Sequence, residues 1–344
     1  MFIAVWQQLH TTCVPPTSPN HLQTPVAAVA RLWRLTLERA GSRLLLVVFG
    51  FHAIAARTVS RTQVRVAPSK SNPAGDIRSG DIVVANRASY IDILYFSATL
   101  APVFTATTAA GGLAPVSMAS ALLAALSPTP LAAGAGGVAA SADAAAATAE
   151  VVRSALRARS GPLLLFPEGV PTNGRAILTF TPLLEQVAAA VVAVARGEGR
   201  DASLRVPTTH IVALKYDTAA AAVVAPHTAG NGWAHAALLA GTPSNGLTVT
   251  RLPPGLEPQP ADFAAPPPPA AAGPAGAAPS AAPPATAADP DAPPATWSAA
   301  TRDALVQLVR GATAVALGAS EYASYRRLHA RQTGAGAAAA AHRD

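Results

Sequence analysis

Apolar residues fall in short runs along this chain, each closed by glycine, proline or polar positions. Runs of about four to eight residues rich in Val, Ile and Leu predict strands, and unbroken ones predict strands buried on both faces. Strands are expected at 62–67 (TQVRVA, alternating), 80–85 (GDIVVA), 102–108 (PVFTATT), 163–166 (LLLF), 209–216 (THIVALKY) and 247–252 (LTVTRL). Helices are expected at 89–100 with Ser89 as N-cap, 116–126, 141–159 with Ser141 as N-cap, 182–196 and 233–239. Another is expected at 298–317, opening on Ser298 and stopping at Gly318, with a further turn or two at 321–328. Strands and helices alternating in this way predict an α/β fold: a single domain with a mixed, largely parallel central sheet flanked by helices.

The pattern changes towards both ends. Residues 1–25 are proline-broken and lack a basic stretch followed by a long apolar run, so a secretory signal is not expected. Residues 26–58 predict a membrane-associated helical segment. Its first half is helical and carries Arg31, Arg34, Arg39 and Arg43. Its second half, 44–56 (LLLVVFGFHAIAA), is shorter than the roughly 20 residues a spanning helix needs. A helical pair lying in one leaflet, with arginines at the headgroups, fits better. The α/β domain covers 59–257. Residues 258–296, mostly Pro and Ala, read as a disordered insertion because they offer too little apolar area to order themselves. Residues 297–330 predict C-terminal helices packing on the domain, and 331–344 a loose tail.

Composition narrows the partners. Half of the 344 residues are hydrophobic, only 12% are charged, and the formal net charge is +7. A basic, charge-poor chain suits an anionic membrane surface. No Lys/Arg block interleaved with aromatics occurs, which argues against nucleic acid. Cys13 is the only cysteine, so no disulfide or cysteine-based metal site forms within the chain. Residues 93–142 carry no charge, but glycines and prolines break them, and they read as buried strand, loop and short helix rather than membrane spans.

Two stretches carry candidate chemistry. Residues 163–180 read LLLFPEGVPTNGRAILTF. Pro167 has no N–H and ends the strand, after which Glu168, Gly169, Pro171, Thr172, Asn173, Gly174 and Arg175 share one loop. Loops at strand C-termini are where α/β folds hold ligands. Residues 83–96 read VVANRASYIDILYF, a strand followed by Asn86 and a helix carrying Asp92.

In this order and about eighty residues apart, the two stretches resemble the first and FPEG motifs of the glycerolipid (PlsC-like) acyltransferases. The TNGR continuation is similar to the lysophospholipid acyltransferase and ancient ubiquitous protein branch, and the likeness runs over roughly 63–252. The resemblance implies acyl-CoA-dependent transfer of a fatty acyl group to a lysophospholipid such as lysophosphatidic acid. It implies a membrane setting, at the cytosolic face of the endoplasmic reticulum or a lipid droplet. Acyl-CoA is then a co-substrate, with no bound cofactor and no metal. It puts Arg87 and Asp92 at the catalytic position, and Asn86, Ser89, Glu168, Gly169, Thr172, Asn173 and Arg175 around the acceptor. Arg87 and Arg175 would meet phosphate, and Glu168 would orient the acceptor's glycerol or the loop.

The chain departs from the family pattern at three points. The family's motif histidine, which takes the acceptor's proton while the aspartate holds it, falls at position 87, where this chain has arginine. A guanidinium has no acceptor lone pair and cannot be that base. Pro171 stands where many relatives carry a phosphate-gripping arginine, and residues 104–142 hold no counterpart of the family's intermediate arginine motif. Three readings follow. Another base, His210 or His52, could serve. Positioning alone could drive the reaction, since orientation contributes about 7–11 kcal/mol in favourable cases. Or the chain is a degenerate acyltransferase that binds lipid or a partner at the endoplasmic reticulum or lipid-droplet surface. A soluble α/β hydrolase is disfavoured, because no G-x-S-x-G elbow occurs.

Overall fold

A seven-stranded sheet organises the computed structural model, which describes residues 25–66, 68–69, 75–108, 110–127, 142–197, 204–217, 223, 225–226, 231–264, 294, 296–309, 311–318, 321–322 and 324–325. In chain order the elements begin with α1 (Pro25–Val48), β1 (Ile54–Thr58), β2 (Ile82–Ala85), α2 (Ile91–Thr99), β3 (Val103–Thr107), β4 (Leu113–Val116) and α3 (Met118–Leu126). They continue with α4 (Ala142–Ala158), β5 (Leu163–Leu165), β6 (Ala176–Ile177), α5 (Leu183–Ala195), β7 (Thr209–Tyr216), α6 (Gly232–Ala240), β8 (Leu247–Arg251), α7 (Trp297–Leu308) and β9 (Thr313–Ala314).

The sheet order is β1-β8-β7-β2-β5-β3-β4. β2 pairs in parallel with β5 and β7, so that Ile82 lies opposite Leu163 and Thr209. β5 pairs in parallel with β3; β4 and β8 turn the sheet antiparallel towards its two sides, and β1 runs parallel with β8. Every residue of β2 and β5 is buried, as their unbroken apolar runs require. Side chains on one face join α4, α5 and α7 in one core, with Val187, Leu305 and Trp297 among them. Those on the other face join α1, α2, α3 and α6, around Phe96, Leu94 and Leu239.

Several expectations need correction. The segment 44–56 is not helical throughout. Gly50, at φ +79°, ends α1: its N–H bonds to the Val47 carbonyl and the Phe51 N–H to the Leu46 carbonyl. This is a Schellman cap, with Leu46 and Phe51 both buried against the sheet. The chain after it forms β1, while the described residues 62–66 are no strand, a 3-10 turn spanning Arg61–Gln63. Ser89 supplies the expected capping bond of α2: its hydroxyl accepts from the Ile91 N–H at 3.3 Å, while Tyr90, already in helical conformation, makes no side-chain capping bond. β4 was missed because Pro115 interrupts it, which an edge strand tolerates. The expected Ser141 cap lies outside the described residues.

Residues 258–264 of the expected proline-rich insertion are ordered, and most of the remainder lies outside the described residues. Pro260–Phe263 is a 3-10 turn, and the Gln259 amide exchanges hydrogen bonds with both backbone groups of Thr209 at 2.8 and 2.9 Å. Trp297 donates its indole N–H to the Pro258 carbonyl at 3.0 Å, tying α7 to the same segment. The helix expected at 298–317 is shorter, while Glu321, Tyr322, Ser324 and Tyr325 are helical, within the further turn expected at 321–328. Thr296 caps α7, accepting from the Ala299 N–H, and the helix ends at Leu308, before Gly311 at φ +85°. The chain then runs beside β6 as β9, and Arg302 fixes the crossing by donating to the Ile177 and Val315 carbonyls.

α1 keeps two apolar faces. Leu46 packs inward on the α2 side, while exposed Leu37, Leu44 and Val48 recur at helical spacing on the opposite, solvent face; Arg39 and Arg43, one turn apart and also exposed, lie nearer the Leu46 side. Among the described residues no helix is long and apolar enough to cross a membrane.

Candidate functional site

The C-terminal ends of β2, β5 and β7 converge on one edge of the sheet, and both sequence motifs emerge there. Asn86 follows β2 directly. Its amide donates to the Leu214 carbonyl at 3.0 Å and accepts from the Leu214 N–H at 2.8 Å, extending the β2–β7 pairing by one side chain. Both amide atoms are thereby committed to the protein. Ser89 is buried as well: its hydroxyl donates to the Ala225 carbonyl at 2.8 Å.

Asp92 lies in the first turn of α2, fully buried. Its Oδ2 accepts from the backbone N–H groups of Ala88 and Ser89 at 2.7 and 2.8 Å. Its Oδ1 accepts a short hydrogen bond from the hydroxyl of Tyr216, the last residue of β7. Burial pushes the carboxyl up to about 6, against the opposing pull of those bonds and of Arg87. Burial likewise drives the Tyr216 hydroxyl well above its ordinary value, so that it acts as the donor.

The FPEG loop meets this junction at the backbone of Arg87. Glu168, also fully buried, accepts from the Arg87 N–H at 3.3 Å and the Leu178 N–H at 3.0 Å. Burial raises its carboxyl to about 8 despite those two donors. On the other side, the Thr172 N–H and hydroxyl both donate to the Arg87 carbonyl, at 2.8 and 3.3 Å. Gly169 takes φ +70°, a left-handed turn that a side chain would strain. Asn173 accepts from the Arg175 N–H at 2.9 Å, and both side chains are exposed.

The Arg87 side chain turns away from this clamp. Its guanidinium carbon sits 5.6 Å from the centre of the Phe166 ring, a cation–π contact worth about 0.5–2 kcal/mol. Its Nε is buried and has no hydrogen-bond partner. Burial lowers its pKa, while Asp92, Tyr322 and Glu168 act the other way. Arg87 and Gly169 open onto a cleft of about 100 Å³ whose walls include Ile93, Phe104, Val116 and Phe166. An apolar slot with one cation at its edge can hold an alkyl chain with an anionic head.

Of the residues singled out from the sequence, Arg87 and Gly169 reach the cleft. Asn86, Ser89, Asp92, Glu168 and Thr172 build the wall behind it, and Asn173 and Arg175 do not line it. Neither candidate replacement base approaches Asp92. His210 lies opposite Val83, near the start of β2, held between Asp81 at 3.4 Å and Glu257 at 3.1 Å. His52 is exposed and bonds to the Pro243 carbonyl at 3.1 Å. Among the described residues no histidine is hydrogen-bonded to Asp92. Sequence reasoning gave no site role to Phe166, which directly follows β5, or to Tyr216, the last residue of β7.

Residues 62–211 match the model of the family described as Acyltransferase. Over 168 residues the chain is 31% identical to the lysophospholipid acyltransferase LPEAT1 of Arabidopsis thaliana, which covers 43% of this chain and 40% of that protein. The chain thus spans well under half the length of the curated relative it matches. No solved structure matches.

Proposed function

Because residues 62–211 form a domain of the acyltransferase family, we propose that this chain transfers a fatty acyl group from acyl-CoA to a lysophospholipid at a membrane surface. One observation carries the reading: Arg87, whose guanidinium Nε is buried and partnerless, lines the edge of an apolar cleft where both family motifs meet. The alkyl chain lies along Phe104 and Val116, and the phosphate of the lysolipid pairs with Arg87. The acceptor hydroxyl oxygen bonds to the thioester carbonyl carbon and the carbon–sulfur bond breaks. The hydroxyl proton leaves with coenzyme A as its thiol. No side-chain base is assigned to that proton, so the rate rests on holding acceptor and thioester together. The outward Leu37, Leu44 and Val48 of α1, on a helix that also carries exposed Arg39 and Arg43, support docking on an anionic bilayer.

The test is transfer of labelled acyl groups from acyl-CoA to a panel of lysophospholipids by the purified chain. Ester product above a heat-killed control supports the reading. Its absence in protein of native circular dichroism overturns it. A second reading is favoured by one observation: the Asp92 carboxylate is engaged by Tyr216 rather than by a histidine. Under that reading the chain binds lipid at a membrane without turnover, and lysolipid binding without product is its signature.

A further inference from the structure

Arg87 and Asp92 are five residues apart, and Asp92 is the strongest charge acting on the guanidinium. A carboxylate this close ordinarily takes an arginine in a charge-assisted pair. Here it does not, and the reason is visible in its acceptors. Oδ2 is filled by the amides of Ala88 and Ser89, and Oδ1 by the Tyr216 hydroxyl. The guanidinium rests on Phe166 instead, with Nε buried and unpartnered. A buried donor left without a partner is costly, and an incoming acceptor would recover that cost.

We infer that Tyr216 is the positioning residue of the anion site: by occupying Asp92 Oδ1 it keeps the carboxylate from capturing Arg87 and leaves the guanidinium facing the cleft for the phosphate of a single-chain lipid. The inference rests on the proposed role of Arg87 as the phosphate grip, and goes beyond it by assigning what keeps that grip open. Tyr216 is suited to the task. It is fixed at the end of a central strand, and its ring packs edge-on against Phe51 at 5.9 Å. A phenol can donate to a carboxylate without bringing a competing positive charge into the site.

The experiment is calorimetric titration of the full chain with dodecyl phosphate, kept monomeric, with dodecyl maltoside as the neutral-headed control. Arg87→Gln is expected to weaken dodecyl phosphate binding by about tenfold or more and to leave dodecyl maltoside unaffected. Tyr216→Phe is expected to weaken dodecyl phosphate by a similar factor, because Asp92 then turns to Arg87. Adding Asp92→Asn to Tyr216→Phe removes the competing charge and restores affinity to within about threefold of the starting protein. A purely structural hydrogen bond would give no such rescue. Equal binding by the parent and Arg87→Gln overturns the phosphate grip itself. A parent that depends on Arg87 while Tyr216→Phe binds normally, or a double variant that is not rescued whether through lost affinity or lost fold, overturns the role of Tyr216 alone.

Discussion

Glu168 bonds to the backbone of Arg87, not to its side chain, and so joins the FPEG loop to the strand that carries the first motif. The same carboxyl holds Leu178 through its second oxygen, and the neighbouring residues Ile177 and Thr179 bond outward to Val315 and Leu317. One buried acid therefore sets both the floor of the cleft and the path of the C-terminal strand β9.

This position makes stability depend on pH in a defined direction. Glu168 titrates near 8 in the fold against an ordinary 4.5, so the native state holds its proton longer than the unfolded chain. Its contribution is complete below the ordinary value and is lost as pH rises towards 8. Urea midpoints measured from pH 5 to 8 are expected to fall for the parent chain. Glu168→Gln, which cannot ionise, is expected to fall less steeply over the same window. Parallel slopes for the two proteins would show that Glu168 does not carry this dependence.

His210 gives a second window, at the far end of the sheet. Burial alone would lower its pKa, but Asp81 and Glu257 on either side outweigh that and push it up to about 9. The native state again holds a proton that the unfolded chain releases near 6.5. Stability from this triad is full below that value and is lost as pH climbs through 9. The difference in unfolding midpoint between the parent and His210→Gln should therefore shrink between pH 6.5 and 9. A difference that stays constant across the range counts against the ionic triad. The triad also removes His210 from the search for a catalytic base, because both ring nitrogens are engaged far from Asp92.

What the sequence disclosed followed burial. β7 was legible residue for residue because seven of its eight positions are buried and apolar or β-branched types predominate. β1 was not, because only Ile54 of its five residues is even partly covered, and pairing with β8 leaves no hydrophobic signature. β6 and β9 are two residues each and are defined by their partners. The Schellman cap at Gly50 had a sequence signal, a glycine between two large apolar residues, but the apolar run around it suggested a continuing helix. At the site, Asn86, Asp92 and Glu168 stood out by motif, yet their roles depend on partners brought from elsewhere in the fold. Tyr216 is 124 residues from Asp92, and no local pattern links them.

Arg87→His separates binding from chemistry. The substitution removes a permanent cation from the cleft and supplies an imidazole acceptor at the position where the acceptor hydroxyl would lie. A positioned general base contributes about 10²–10⁴ in rate. In steady-state assays with acyl-CoA and an anionic lysolipid, kcat is expected to rise at least about tenfold, while KM rises because the phosphate has lost its partner. The gain should follow a single deprotonation in the pH profile. A folded Arg87→His chain with unchanged or lower kcat would show that proton removal is not what limits the parent protein.

The outward face of α1 makes the last prediction. Leu44 is 64% exposed and Val48 49%, so neither contributes much to the core, and both lie on the face opposite the contact with α2. Side chains of this size stabilise by about 1.5–3 kcal/mol each when fully buried, whether in protein or in the acyl region of a bilayer. Replacing both with Glu removes that transfer energy and sets two negative charges against an anionic surface. Sedimentation with vesicles of phosphatidylcholine and phosphatidylserine is expected to show at least about tenfold weaker partitioning for Leu44→Glu/Val48→Glu. The thermal midpoint should be little changed, because exposed positions away from caps and buried polar groups shift stability by about 0.5 kcal/mol or less. Equal sedimentation by the two proteins would move the membrane contact off this helix. A large loss of thermal stability would instead mean that Leu44 and Val48 are covered by another part of the chain.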